Sequence, residues 1–109
     1  MSKRVNWKKR ISEIPSRVQI SKKTYYDVVW QKEITDTKGN HLCGMTNLND
    51  KVITIKMDMT AKLTIETYIH EVIHSISDEY DLGLTENQVL KMEESLPYIL
   101  KLDNIFKEE

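Results

Sequence analysis

The sequence predicts an α+β domain: a small antiparallel sheet of three to four strands packed on one long helix, followed by a second helix. Three observations carry this. Between Arg17 and Met57, β-branched and aromatic residues recur in short runs broken by turn formers, as strands require. From Thr60 to Tyr80, Ile65, Ile69, Val72, Ile73 and Ile76 repeat at the helical period. Beyond Gly83, Thr85 and Gln88 have the spacing of a capping box, which opens another helix.

Taken in order, residues 1–16 form a basic lead with Trp7, Ile11 and Ile14 at near-helical spacing, a short helix that must stop by Pro15. Trp7 reads as a packing anchor. Val18 and Ile20 alternate with polar residues, and Tyr25 to Trp30 is a second strand, with Ser21 to Thr24 as the turn between them. Asp36 to Asn40 is a turn in which Gly39 or Asn40 takes positive φ. Cys43 to Asn47 and Val52 to Met57 are two further strands, and Val52-Ile53-Thr54-Ile55, the most apolar, belongs at the centre of the sheet. Thr60 or Thr64 caps the long helix, and Gly83 suits its left-handed terminus. The second helix, 85–96, has Val89, Met92, Leu96 and Leu100 as its apolar face, and Pro97 should kink or restart it. The charged tail to Glu109 reads as frayed.

The 109 residues suit a single domain over 17–109 behind the lead 1–16. Hydrophobic content of 39% against 30% charged excludes a disordered chain. No apolar run reaches a membrane span, and the basic N-terminus lacks the apolar segment of a secretory signal. Cys43 stands alone, so there is no internal disulfide, and a cytoplasmic setting is the simplest expectation. Charge is uneven: residues 1–23 hold eight Lys or Arg against Glu13 alone, so this arm is +7 although the chain is −1 overall. Such an arm attracts nucleic acid or an acidic partner. No nucleic-acid motif accompanies it, and a solvated terminus is the simpler reading.

The chemistry-bearing motif is His70-Glu71-Val72-Ile73-His74, an H-E-x-x-H run inside the long helix. Residues four apart share a helix face, so both imidazoles project to one point, on the side opposite the isoleucines. Two neutral histidines so placed bind one Zn2+, and Glu71 beside them is the candidate general base that takes a proton from water. A zinc site needs a third protein ligand, and the second helix supplies Glu93 and Glu94. Helical geometry leaves both open: Glu93 lies nearer the middle of the apolar face, Glu94 on its edge. Asp78 and Glu79 are too close to His74 on the same rigid helix and read as an exposed acidic end. Tyr80, Tyr68 and His41 are candidates for stabilising an oxyanion. His41 with Cys43 makes an H-x-C pair, too little alone for a second metal site.

The segment from Tyr25 to Leu100 resembles the small metallopeptidases encoded by phages and prophages of low-GC bacteria. The resemblance lies in Gly39, Cys43-Gly44-Met45-Thr46, Ile53-Thr54-Ile55, Thr67-Tyr68-Ile69-His70-Glu71-Val72-Ile73-His74-Ser75-Ile76, Leu84-Thr85-Glu86 and Met92-Glu93-Glu94-Ser95-Leu96. It implies a minimal zincin fold, related in outline to SprT-like and thermolysin-like catalytic cores, and a bacterial host cell as the setting. The glutamate of thermolysin-like gluzincins, twenty residues past the second histidine, falls on Glu94. By the same resemblance, Cys43 to Asn47 is the edge strand along which an extended peptide pairs.

The expectation is therefore a zinc-dependent metallopeptidase with His70, His74 and Glu94 as ligands, Glu71 as base, and a peptide or protein substrate. The alternatives are a non-catalytic, metal-stabilised phage regulatory or host-interaction module using the same ligands, and a small nucleic-acid-binding protein using the basic residues 1–23.

Overall fold

The computed structural model describes residues 7–99. Its elements are α1 (Trp7–Ser12), β1 (Arg17–Gln19), β2 (Tyr25–Gln31), β3 (Gly44–Asn47), β4 (Val52–Lys56), α2 (Ala61–Glu79) and α3 (Glu86–Ile99). The fold class is α+β, and the turn at 21–24 closes the first hairpin: the Ile20 amide donates to the Thr24 carbonyl at 2.9 Å. Gly39 takes the positive φ, +85°, in a turn whose Asp36 side chain accepts from the Lys38 and Asn40 amides.

The sheet runs β1-β2-β4-β3, with β1/β2 and β3/β4 antiparallel but β2/β4 parallel. The expected wholly antiparallel sheet is thus corrected to a mixed one. The cause is burial. A simple meander would leave Val52-Ile53-Thr54-Ile55 on the rim. The β3–β4 hairpin instead inserts β4 next to β2, where Ile53 and Ile55 are fully buried and each contributes roughly 1.5–3 kcal/mol. The more polar β3 becomes an edge strand.

Tyr26, Val28, Ile53 and Ile55 of the sheet pack against Ile65, Tyr68, Ile69 and Ile73 of α2, with Val89 of α3 closing the cluster. Trp7, Ile11 and Ile14 lie against the same core, as expected of an anchor at Trp7. The apolar residues of the described lead are therefore built into the domain, while Lys8 and Lys9 are exposed. Arg10 is buried with its guanidinium over the Trp7 ring, and Arg17 pairs with Asp27 at 3.2 Å, so two of the arm's charges work within the fold. Lys3, Arg4, Leu100 and the tail to Glu109 lie outside the described residues.

The ends of α2 and α3 set the site. Thr60, not Thr64, caps α2: its hydroxyl accepts from the Leu63 amide at 3.3 Å. At the other end Asp81, not Gly83, takes the left-handed position (φ 53°) that closes the helix. The Leu82 amide donates to the Ser77 carbonyl and the Asp81 amide to that of Asp78, a Schellman closure; Gly83, also at positive φ, serves the turn that follows. The capping box forms reciprocally, Thr85 N–H to Gln88 Oε1 at 2.8 Å and Gln88 N–H to Thr85 Oγ1 at 3.2 Å. Helix α3 continues through Pro97 rather than restarting. A proline in the last turn forgoes only one intrahelical bond, to the Glu93 carbonyl. Met92 is exposed, while Val89 and Leu96 face inward. No helix of the described residues is long and apolar enough to cross a membrane.

Candidate metal centre

Helix α2 is covered on several sides. Its isoleucines meet the sheet, its Thr67–Glu71–Ser75 row meets β3, and the histidine side lies under α3. His70 and His74 keep only 16% and 31% of their side-chain surface.

The two histidines converge as their spacing predicts. Their rings meet edge to face with centroids 4.7 Å apart, and Nε2 of one lies 3.1 Å from Nε2 of the other. The carboxylate that joins them is that of Glu86: Oε2 is 2.9 Å from His70 Nε2 and Oε1 is 3.1 Å from His74 Nε2. A second carboxylate, Glu93, holds the far side of His70, with Oε1 2.6 Å from Nδ1.

These four groups determine where protons can sit. Glu93 as a carboxylate only accepts, which assigns a proton to His70 Nδ1 and leaves Nε2 of the neutral ring as a lone pair. That lone pair faces Glu86 Oε2, so two acceptors lie within hydrogen-bond distance. A shared cation, a proton or a metal ion, would relieve the contact. Two imidazole nitrogens and a carboxylate oxygen within 4.8 Å of one another form a group that could hold a metal ion, and Glu93 stands where a carboxylate would orient a ligating imidazole.

Of the downstream acids considered from sequence, Glu93 reaches a histidine and Glu94 is exposed. Burial raises the Glu66 carboxyl above its ordinary value; Lys62 opposes this, and Glu93 and Glu94 add smaller upward pushes. The helical wheel explains the split: Glu86, Val89, Glu93 and Leu96 share the face of α3 that packs on α2, and Glu94 is turned about 100° from Glu93. Glu86 carried no assigned role in the sequence reading, although it sits inside Leu84-Thr85-Glu86. The signal was the capping box itself, which makes Glu86 the first residue of α3, where the chain has just turned back over α2.

Glu71 lies about 100° round α2 from His70, projects into the layer between α2 and β3, and is 7% exposed. Thr46 Oγ1 donates to its Oε1 at 2.6 Å, and Ser75 Oγ donates to its backbone carbonyl at 3.0 Å. Glu71 and His70 line one open cleft with Leu42, Cys43, Gly44, Thr67 and Glu93. Gly44 is what lets the layers approach, since a Cβ there would lie 2.5 Å from Thr67 Cγ2.

None of the three oxyanion candidates lines this cleft. Tyr68 is buried in the core, its phenol pushed up to about 12 by desolvation; Tyr80 is the exposed C-cap of α2; His41 is exposed, in a bridge to Thr35. Cys43 is exposed on the cleft wall, and no metal-binding cluster among the described residues includes it or His41. Asp78 is exposed, but Glu79 is not merely an acidic end: its Oε2 accepts from Ser21 and Thr24 at 2.7 and 2.9 Å.

No protein-family model, curated protein or solved structure matches the chain.

Proposed function

We propose that the protein is a zinc-dependent metallopeptidase, with His70 Nε2, His74 Nε2 and Glu86 as protein ligands and Glu93 orienting His70. The observation that carries this is the bridging of both Nε2 atoms by one carboxylate, at 2.9 and 3.1 Å. The ligand set differs from the sequence expectation by exchanging Glu94 for Glu86. Zinc, when bound, supplies Lewis-acid activation of water and of the scissile carbonyl. Glu71 accepts the proton of the attacking water and returns it to the leaving nitrogen. The β3 rim beside the cleft offers unpaired backbone groups to an extended peptide, in the mode of strand addition.

The test is zinc content and affinity of the full chain. Glu86→Ala should lose the ion, Glu93→Ala should weaken it by about 10–100-fold, and Glu94→Ala should leave it unchanged. Zinc retained in Glu86→Ala but lost in Glu94→Ala would restore the gluzincin-like spacing. For catalysis, Glu71→Gln should keep zinc and lose turnover of a quenched peptide mixture by roughly 100-fold or more. Equal behaviour of Glu71→Gln and wild type would favour the non-catalytic, metal-stabilised module.

A further inference from the structure

We propose that Thr46 is the positioning residue for Glu71 and that it divides the work of that carboxylate: Oε1 is tied to the edge strand, and Oε2 takes the proton. The inference rests on Glu71 being the base of the reaction proposed above. It starts from two residues of β3. Gly44 and Thr46 are two apart in a strand and so present the same face, here the face towards α2. Both meet Glu71.

Thr46 Oγ1 lies 2.6 Å from Glu71 Oε1. A carboxylate accepts only, so the single hydroxyl proton is donated to it. The same hydroxyl is 3.4 Å from the Glu71 carbonyl, but that acceptor is already served by Ser75 at 3.0 Å. The proton of Thr46 is therefore committed to the side chain. Oε2 has a different surrounding: a Cβ on residue 44 would lie 3.2 Å from it and 3.2 Å from Glu71 Cγ, so the oxygen rests against the glycine that lines the cleft. The terminal torsion of a glutamate is otherwise soft. One charge-assisted bond to Oε1 fixes the carboxylate plane and leaves Oε2 with an uncommitted lone pair.

In the reaction, the water oxygen bonds to the carbonyl carbon as one water proton passes to Oε2. The C–N bond then breaks, and that proton goes to the amine nitrogen. Peptide and water become acid and amine, and Oε1 keeps its bond to Thr46 throughout.

Thr46→Val keeps shape and removes the donor; Thr46→Ser keeps the donor. In the zinc-loaded full chain, Thr46→Val should lower kcat on a quenched peptide mixture by about 10–100-fold at little change in KM, the weight of one hydrogen bond to a charged group, and Thr46→Ser should recover most of it. Zinc content should be equal in all three. A second readout needs no turnover: the 13C resonance of the Glu71 carboxyl should shift in Thr46→Val and return in Thr46→Ser. In wild type, the Thr46 hydroxyl proton should be slow to exchange and correlate with that carbon, which covers a valine variant that fails to fold. An unmoved carboxyl resonance with a fast-exchanging hydroxyl overturns the tie. Turnover equal in Thr46→Val and wild type overturns the division of work, and so does zinc lost from Thr46→Val. If wild type binds zinc without turnover while the carboxyl shift behaves as described, the peptidase reading and the proton-accepting role of Oε2 fail together, and only the tie between Thr46 and Oε1 stands.

Discussion

Gly44 shows how little room surrounds Glu71. An alanine there would place its Cβ 2.5 Å from Thr67 Cγ2, and neither β3 nor α2 can retreat without disturbing the core. Gly44→Ala should therefore destabilise the protein by roughly 1–3 kcal/mol, read from the urea midpoint. Adding Thr67→Ser removes the opposing methyl and should recover part of that loss; no recovery would mean the strain lies elsewhere. The convergence of His70 and His74 was legible in the sequence because a helix converts four residues of spacing into one face. Gly44 and Thr46 were not, since their partner on α2 is fixed only when β3 takes the rim of the sheet. The choice among the acids of α3 depends on which signal is read. Counting residues cannot tell neighbours such as Glu93 and Glu94 apart, whereas the face that carries Val89 can.

Between α2 and α3, two local closures place the second pair of donors. The capping box makes Glu86 the first residue of α3, so Thr85→Ala should cost about 1 kcal/mol of stability. If the proposed centre holds zinc, this change should also weaken that binding, because the first turn carries the bridging carboxylate; a melting curve and a zinc titration on the same variant check both. Unchanged affinity would show that Glu86 is placed by packing alone. At the end of α2, Asp81 pays the steric cost of φ 53° that glycine avoids. Asp81→Gly should raise the urea midpoint, by up to about 1 kcal/mol. The box was readable as Thr85 and Gln88; the Schellman closure was assigned to Gly83, because composition points to glycine although aspartate also tolerates the left-handed region.

Across the whole molecule, Glu79 fastens the β1–β2 hairpin to the far end of α2. The Ser21 and Thr24 hydroxyls hold its carboxyl below the ordinary value of 4.5. A carboxyl lowered by folding adds stability that is complete above about pH 4.5 and is lost as pH falls through the folded value. Acid titration of stability should show this step, and Ser21→Ala with Thr24→Val should flatten it. Tyr68 acts at the other extreme: raised from 10.0 to about 12 by burial, it favours the fold up to about pH 10, and that contribution disappears between there and about 12. The α+β class and the central place of β4 were legible from apolar density. The parallel pairing of β2 with β4 was not, because local turns specify hairpins and only competition for burial decides which strand lies inside.

The bridging acid and the group orienting His70 both belong to α3, whose main packing partner is α2. An ion gripped by both rods would act as a rivet between them, so any gain in stability from chelation should concentrate in this hairpin. Amide exchange along residues 86–96 should slow severalfold or more when zinc is added, while that of Ile53 and Ile55 stays near its starting rate. The molecule would then report its own metal loading through the tightness of one helix.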